Sequence, residues 1–223
     1  MIHTAEEAIL WKKLATLFFW SGIVTTILSF IVNPLFLLGS VLLFGAWRYA
    51  GRMAYQWGTG FEGEYYVIEA LSHSERIKGI LLSDIVLPGR RANIDHVLIC
   101  EQGIFAIETK AYTGIYFVSG DAWYSETPSG RHEIRSISKI AKRNAAVLSR
   151  FLWKNLGENY FVKPLVVFAG AGIVEGRSTI PVLYPNEIET YVLSLPIELS
   201  HEDITRLENL LEGYSRHVMV INL

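Results

Sequence analysis

The sequence has a single cysteine, Cys100, among 223 residues. One cysteine cannot form an internal disulfide framework and cannot supply a thiolate metal cluster. The six histidines are scattered, with no pair at the spacing of metal ligands, which argues against a zinc site. The sequence offers no Ser-His-Asp or Cys-His set that would supply a nucleophile for covalent catalysis. The net charge of −2 gives no overall attraction to nucleic acid, so any such binding needs a local basic patch.

Hydrophobic residues make up 51% of the chain, and the excess lies at its start. Residues 14–32 carry no charged side chain and are long enough to cross a bilayer as a helix. Asn33-Pro34 interrupts the run, and residues 35–47 form a second, shorter one. A secretory signal peptide fits poorly because the first run is long and lacks a small-residue cleavage site.

Basic residues flank these runs: Lys12 and Lys13 precede the first, and Arg48 and Arg52 follow the second. Two transmembrane helices, at about 14–32 and 34–50, would place all four on one side, which the positive-inside rule makes cytoplasmic. The prediction is a multi-pass protein of the cell inner (cytoplasmic) membrane, with its N-terminus and following domain in the cytoplasm. The alternative is that the second run is a re-entrant or core helix, which would leave a single pass.

Residues 93–110 predict a β-hairpin around Gly103 in which charged residues interrupt two apolar strands. If Ile99 pairs with Ile104, Asp95 lies opposite Glu108, and Asn93 lies opposite Lys110. A three-residue loop would shift the register and separate the carboxylates onto opposite faces. Opposed carboxylates on an apolar sheet require compensation, which a divalent cation would provide. The alternative is an edge hairpin whose charges face water, and spacing alone does not choose between the two.

The run Ile94-Asp95-His96, a Gly103 turn, and Glu108-Thr109-Lys110 resembles the nuclease-related domain, NERD, a branch of the PD-(D/E)XK restriction-endonuclease-like group. The resemblance covers about residues 58–171. Its further matches are Gly63-Glu64, Leu87-Pro88, Gly114 and Trp123. Two features differ: Asn93 stands where the family usually has Gln, and residues 136–140 lack the family's Asn-Pro and Gln at the start of a helix.

The resemblance implies a metal-dependent nuclease. Asp95 and Glu108 would hold Mg²⁺ or Mn²⁺, Glu64 would contribute directly or through water, and Lys110 would assist the attack on the phosphate. Glu64 lies on the apolar stripe of a helix predicted for residues 60–71, where a buried acid needs a partner. Alternatively, Glu64 reaches water at the edge of the stripe. Asp84 lies inside a predicted strand over residues 80–87 and is left out of the site because no partner spacing supports it.

Residues 138–156 predict the strongest helix after the apolar runs. Its basic residues recur along one side and are candidates for contacts with nucleic-acid phosphates: Lys139, Arg143, Arg150 and Lys154. A solvated face is the alternative explanation. Arg90 and Arg91 form a basic turn that could likewise touch a phosphate or simply be exposed.

The remaining pattern predicts a connector at residues 51–59, strands at 114–118 and 164–169, a loop at 170–172, a strand near 191–193 and a helix at about 201–211. The predicted fold class is α/β, a restriction-endonuclease-like mixed β-sheet flanked by helices and preceded by an N-terminal transmembrane helical hairpin. The predicted domains are a membrane anchor (1–57), a NERD-like nuclease domain (58–172) and a C-terminal α/β extension packed on the same domain (173–223).

The predicted function is hydrolysis of phosphodiester bonds in nucleic acid, with DNA favoured, by a membrane-anchored, Mg²⁺- or Mn²⁺-dependent protein. The predicted partners are nucleic acid and the lipid bilayer. The alternative is a non-catalytic membrane-anchored scaffold with a nuclease-like fold that binds nucleic acid or a protein.

Overall fold

The computed structural model describes residues 2–90 and 92–222, except for the side chains of residues 2–4, 56, 57, 59 and 61. Arg91, predicted to form a basic turn with Arg90, lies outside the described residues. The chain divides into two compact units, Met1–Glu62 and Gly63–Leu223. It is a mixed α/β protein with five α-helices and two β-sheets in its described part.

Two long helices begin the chain, α1 (Ile2–Ile31) and α2 (Phe36–Ser72). The break between them follows from Asn33-Pro34, where the Asn33 side chain accepts a hydrogen bond from the Leu35 N–H at 2.9 Å. The predicted connector at residues 51–59 is wrong, because these residues are helical within α2. The segment includes Gly51 and Gly58, but a helix tolerates isolated glycines at a cost of about 1 kcal/mol each.

One helix of the described chain, over Ala5–Ile31, is long and apolar enough to cross a membrane. Only 17% of its most apolar 18-residue stretch is buried, so its apolar side chains are largely exposed. The second apolar run, predicted as another span, does not form a second helix of this kind among the described residues. Charged residues enter α2 soon after that run ends, at Arg48 and Arg52.

Aromatic side chains of the first unit join α1 to the start of α2. The Phe19 ring lies 5.3 Å from that of Trp47 and 6.3 Å from that of Phe44. The Trp11 and Tyr49 rings meet edge to face at 5.8 Å. These contacts bring the first apolar run against the second within this unit.

The second unit is built on two sheets. The larger has the order β10-β1-β2-β3-β7-β9, antiparallel from β10 to β3 and parallel from β3 to β9. The smaller has the order β6-β5-β4-β8. The strands are β1 (Gly79–Ile85), β2 (Ile94–Cys100), β3 (Gly103–Lys110), β4 (Ile115–Gly120), β5 (Ala122–Thr127), β6 (Gly130–Ile134), β7 (Val162–Phe168), β8 (Ile173–Ser178), β9 (Val182–Leu183) and β10 (His217–Ile221).

The helices of this unit are α3 (Ile137–Leu156), α4 (Ile188–Leu193) and α5 (His201–Leu211), with short 3₁₀ turns at Pro185–Glu187 and Glu212–Tyr214. α3 agrees with the predicted helix. The Ser136 side chain caps its start by accepting from the Lys139 N–H, and Gly157 ends it in the left-handed conformation at φ 74°. The strand predicted near residues 191–193 is wrong, since these residues belong to α4.

Both faces of the larger sheet are covered, which makes its central strands almost completely buried. One face packs against α3 and α5 through Val97, Ile99, Ile104, Ala106, Leu148, Leu152, Ile204 and Leu207. The other packs against α2 and α4 through Leu98, Phe105, Ile107, Val67, Leu71, Ile188 and Val192. Any polar side chain on β2 or β3 therefore enters a desolvated environment and needs a partner.

Candidate functional site

The β2–β3 hairpin has the even register, one of the two that the sequence left open. Ile99 pairs with Ile104, and the ladder runs from Cys100–Gly103 to His96–Ile107. Gly103 adopts a φ of 122°, a conformation that favours glycine and lets the turn close. One residue beyond the His96–Ile107 pair, this register places Asp95 opposite Glu108, on the same face of the sheet.

Asp95 and Glu108 face the helix α3 at the end of this hairpin. The Asp95 Oδ2 atom accepts a hydrogen bond from the backbone N–H of Thr109 at 2.8 Å, which fixes the carboxylate beside Glu108. Glu108 is 6% exposed, and Asp95 is half-buried. Two acidic groups are thus held together in a largely desolvated place.

Lys110 and Asn144 supply the partners of Glu108. The Lys110 ammonium donates to Glu108 Oε1 at 2.6 Å and to the Thr109 carbonyl at 2.9 Å. The Asn144 amide nitrogen, on α3, donates to Glu108 Oε2 at 3.1 Å. Both carboxylate oxygens of Glu108 therefore have hydrogen-bond donors.

The electrostatics of the pair follow from this geometry. Burial, together with the neighbouring Glu108 charge, raises the pKa of Asp95 to about 7. Burial acts to lower the pKa of Lys110, but the charges of Glu108 and Asp95 outweigh it and hold that pKa above its ordinary value. The two carboxyl groups therefore face a single ammonium group, and a cation bound beside them would offset the remaining negative charge.

Glu64 lies near these groups on α2. A Cβ atom on its neighbour Gly63 would stand 2.7 Å from the Ala111 Cβ, so the helix passes close to the end of β3. Burial raises the pKa of Glu64, and the charges of Asp84 and Lys110 act on it in opposite directions. Its carboxyl is therefore within electrostatic reach of the site lysine.

The described residues contain no group of three His, Cys, Asp or Glu side chains that could hold a metal ion together. The arrangement therefore offers a two-carboxylate pair with Glu64 at a greater distance. Such a pair fits Mg²⁺, which is commonly bound by one or two carboxylates and keeps several water ligands.

Asn144 was missed as a site residue by sequence reasoning. It is 4% exposed, and its Oδ1 atom has no hydrogen-bond partner among the described residues. The available signal was a polar residue interrupting the apolar face of α3. This residue gives α3 a contact with the site even though residues 136–140 lack the family's Gln.

Asp84 lies on β1 next to this site and has the unusual φ of 56°. Its carboxylate accepts from the Asn93 side chain at 2.6 Å and forms an ion pair with Arg216 at 3.2 Å. The Asn93 side chain thus bonds to Asp84, and its predicted position opposite Lys110 falls just before the start of β2. Asp84 was excluded from the predicted site, and the structure places it within electrostatic reach of Glu64.

His96 points to the other face of β2, because neighbouring residues on a strand alternate. It is fully buried, and its Nδ1 atom lies 2.8 Å from the Ser83 hydroxyl. Burial lowers the pKa of His96 to about 3, so the ring is neutral at physiological pH. It is consequently not positioned to share a cation with Asp95.

The predicted basic stripe on α3 lies along two different cavities. Lys139 and Arg143 line a cavity of about 450 Å³ that also contains Asp121 and Glu133. The second cavity contains basic but no acidic side chains, and its lining is Leu87, Pro88, Arg90, Val147, Arg150, Phe151, Lys154, Asn155 and Tyr214. The four basic residues of the stripe therefore have unequal surroundings.

Comparison with known proteins assigns part of the chain to a family. Residues 59–169 match the family model of the nuclease-related domain, in agreement with the resemblance over residues 58–171. No curated protein and no solved structure matches the chain. The matched range contains the hairpin, Glu64, Asn144 and Lys110. Through residues 59–169, the protein is a member of the nuclease-related domain family, NERD.

Proposed function

We propose that this protein is a metal-dependent nuclease that hydrolyses phosphodiester bonds, with DNA as the favoured substrate. The observation that carries the proposal is the Asp95–Glu108 pair on adjacent strands, with Lys110 bonded to Glu108 at 2.6 Å. Two carboxylates and an amine at one point are suited to holding a divalent cation beside a phosphate.

The residues present fit Mg²⁺ or Mn²⁺. Asp95 and Glu108 offer hard carboxylate oxygens, which these ions prefer, and the raised pKa of Asp95 reflects a charge that a cation would offset. When bound, such an ion supplies a more acidic water and polarises the phosphate. Glu64 contributes through a water molecule in this proposal, consistent with its absence from any three-residue ligand group.

The protein groups each have a separate task. The Thr109 N–H orients Asp95, and the Asn144 amide orients Glu108. Lys110 holds the attacking water or donates to a phosphate oxygen as negative charge develops there. Because Lys110 contacts Glu108 before any substrate arrives, its ammonium is already positioned for this task.

We also propose a restriction-endonuclease-like fold for the nuclease domain and a two-pass membrane anchor before it. The mixed larger sheet with helices on both faces supports the fold. The exposure of apolar side chains in both runs supports the anchor, including Leu38 at 67% and Leu42 at 74%. In this proposal the N-terminus and the nuclease domain lie on the cytoplasmic side of the inner membrane.

The test is cleavage of DNA by the full chain in detergent, with Mg²⁺ or Mn²⁺ and with EDTA. We expect cleavage only with the metal, and a loss of at least 100-fold in rate, of the order found for charge-stabilising groups, in Glu108→Gln and in Lys110→Met. Glu175→Gln and Lys78→Met make the same chemical changes at exposed positions and should keep the rate. Equal rates in the site variants and these controls would refute the proposal.

A non-catalytic scaffold is the second candidate function. It is favoured by the fact that Glu108 is already satisfied within the protein, by Lys110 and Asn144. This candidate predicts nucleic-acid binding that survives both Glu108→Gln and Lys110→Met, without cleavage in either metal. The same purified samples distinguish the two candidates.

A further inference from the structure

The second cavity on α3 is a concave site of about 350 Å³ with a basic rim and an apolar floor. Small-molecule sites commonly have volumes of about 300–1,000 Å³. Arg90, Arg150 and Lys154 provide the charge, and none of them has an ion-pair partner among residues 2–90 and 92–222. Unpaired cations around a cavity favour an anionic ligand.

The floor of the cavity is formed by aromatic rings. The Phe151 and Tyr214 rings meet edge to face at 5.2 Å and are partly buried against the core between α3 and the larger sheet. Flat apolar rings are the surface on which unpaired nucleic-acid bases stack. The basic rim and the aromatic floor of the cavity therefore match a ligand that carries both a phosphate and a planar ring.

The rim is held in place by the backbone. Pro88 and Gly89, with a φ of 75°, form a tight turn closed by a hydrogen bond from the Arg90 N–H to the Leu87 carbonyl at 3.1 Å. The Val86 N–H donates to the Tyr214 carbonyl at 2.9 Å, which ties this turn to the aromatic floor. Arg150 and Lys154 are one helical turn apart and can approach the same phosphate.

We infer that this cavity binds an unpaired nucleotide of the nucleic-acid substrate, with its phosphate on the basic rim and its base against Phe151 and Tyr214. The inference rests on the proposed nuclease function. Arg150 and Lys154 follow Asn144 on α3 by six and ten residues, or about 9 and 15 Å along the helix axis.

The first cavity makes a useful contrast. Lys139 and Arg143 share it with Asp121 and Glu133, and Asp121 is bonded to Lys142 at 2.9 Å. The acidic groups reduce its attraction for a phosphate. The inference is therefore confined to the second cavity.

The experiment measures binding of fluorescein-labelled (dT)₁₀ to the full chain in EDTA, where a metal-dependent enzyme cannot cleave it. We expect a decamer of abasic deoxyribose phosphates, which has the same backbone charge, to bind roughly 5- to 150-fold more weakly, the range for one stacked base. Tyr214→Leu should remove this difference. Equal binding of the two oligonucleotides to the unsubstituted protein would overturn the inference, whether or not the variant folds.

The phosphate contacts are tested by the salt dependence of (dT)₁₀ binding. Arg150→Gln should reduce the slope of log K against log salt by about 0.7, the value for one lost contact with a single strand. Arg177→Gln removes the same charge from an exposed position on β8 and should leave the slope unchanged. Equal slopes in both variants would refute the cavity as a phosphate site.

A short-chain phosphatidic acid, added as a competitor of (dT)₁₀, tests whether the cavity binds the phosphate of a lipid instead. If it competes with (dT)₁₀ while the abasic decamer binds as well as (dT)₁₀, the cavity holds a lipid headgroup and the inference is wrong.

Failure of the nuclease proposal is recognised separately. An inactive protein with these binding properties loses only the catalytic claim, and an active one with unchanged Arg150→Gln binding loses only the cavity claim.

Discussion

Replacing Asp95 by Asn should stabilise the metal-free protein while abolishing cleavage. The pKa of Asp95 lies at about 7, against an ordinary value of 3.8, because the carboxyl is desolvated and stands beside Glu108. At about 1.36 kcal/mol per pKa unit, this difference corresponds to about 4 kcal/mol above pH 7. Asp95 is only half-buried, so solvent screening reduces the expected gain to roughly 2–3 kcal/mol.

The sign of the pH dependence follows from the raised pKa. A carboxyl whose pKa is raised in the folded state destabilises the protein fully above pH 7, and the penalty fades as the pH falls through 7 toward 3.8. The advantage of Asp95→Asn should therefore be largest at pH 8 and smaller at pH 5. The neutral amide can still accept the Thr109 N–H, so the local backbone contact is kept.

The assay is thermal unfolding of the full chain in detergent and EDTA. A gain of roughly 2–3 kcal/mol corresponds to a rise in Tm of roughly 4–12 °C for a domain of this size. Mg²⁺ should raise the Tm of the unsubstituted protein and not that of the variant, because ligand binding to the folded state stabilises it. A variant that is less stable than the unsubstituted protein at pH 8, with Glu175→Gln unchanged, would refute this account of the site.

Two further predictions concern α3 and the proposed membrane anchor. Asn144→Ala removes the hydrogen bond that orients Glu108, and we expect the Mg²⁺ concentration for half-maximal cleavage to rise roughly 10- to 100-fold, with unchanged metal dependence arguing against this role. Cys100 is fully buried, so Asn33→Cys and Ser72→Cys can be labelled without background from it. In intact spheroplasts an impermeant thiol reagent should label Asn33→Cys alone if the anchor passes twice, whereas a single pass predicts label at Ser72→Cys.

The β2–β3 hairpin was predictable because it depends on local chemistry. Alternating side chains and the glycine turn indicate two paired strands, but they left open an even loop and a three-residue loop; the structure has the even one, with Ile99 paired with Ile104. α3 was equally predictable from its periodic apolar residues. The hairpin joins two strands that are adjacent in sequence, and α3 is a single helix. In both, the residue pattern acts over a short stretch of chain and is closely linked to the structure.

The contacts between distant segments were not predictable. Asn144 and Glu108 are 36 residues apart, and no local pattern reveals that an amide on α3 meets a carboxylate on β3. Asp84 was set aside for the same reason, since its bond to Asn93 depends on the pairing of β1 with β2. Both residues depend on tertiary structure that the sequence pattern does not encode locally.

Short or mixed patterns produced the errors in secondary structure. Residues 191–193 are Tyr-Val-Leu, which favours a strand by side-chain type, but the segment is one short helix that buries Ile188 and Val192. Three residues are too few to separate the two periodicities. Residues 51–59 were interpreted as a connector, although they are helical and continue α2.

The ion pair between Lys110 and Glu108 means that folding need not wait for a metal. Zinc fingers unfold when chelated because metal binding supplies their folding free energy, whereas here the domain has a large apolar core and an amine from the chain itself neutralises one carboxylate. We expect a chelating agent to abolish cleavage by this protein without unfolding it. Preparation in a chelator followed by return of the ion should restore full cleavage, so that ion supply would act as a reversible switch on a folded domain.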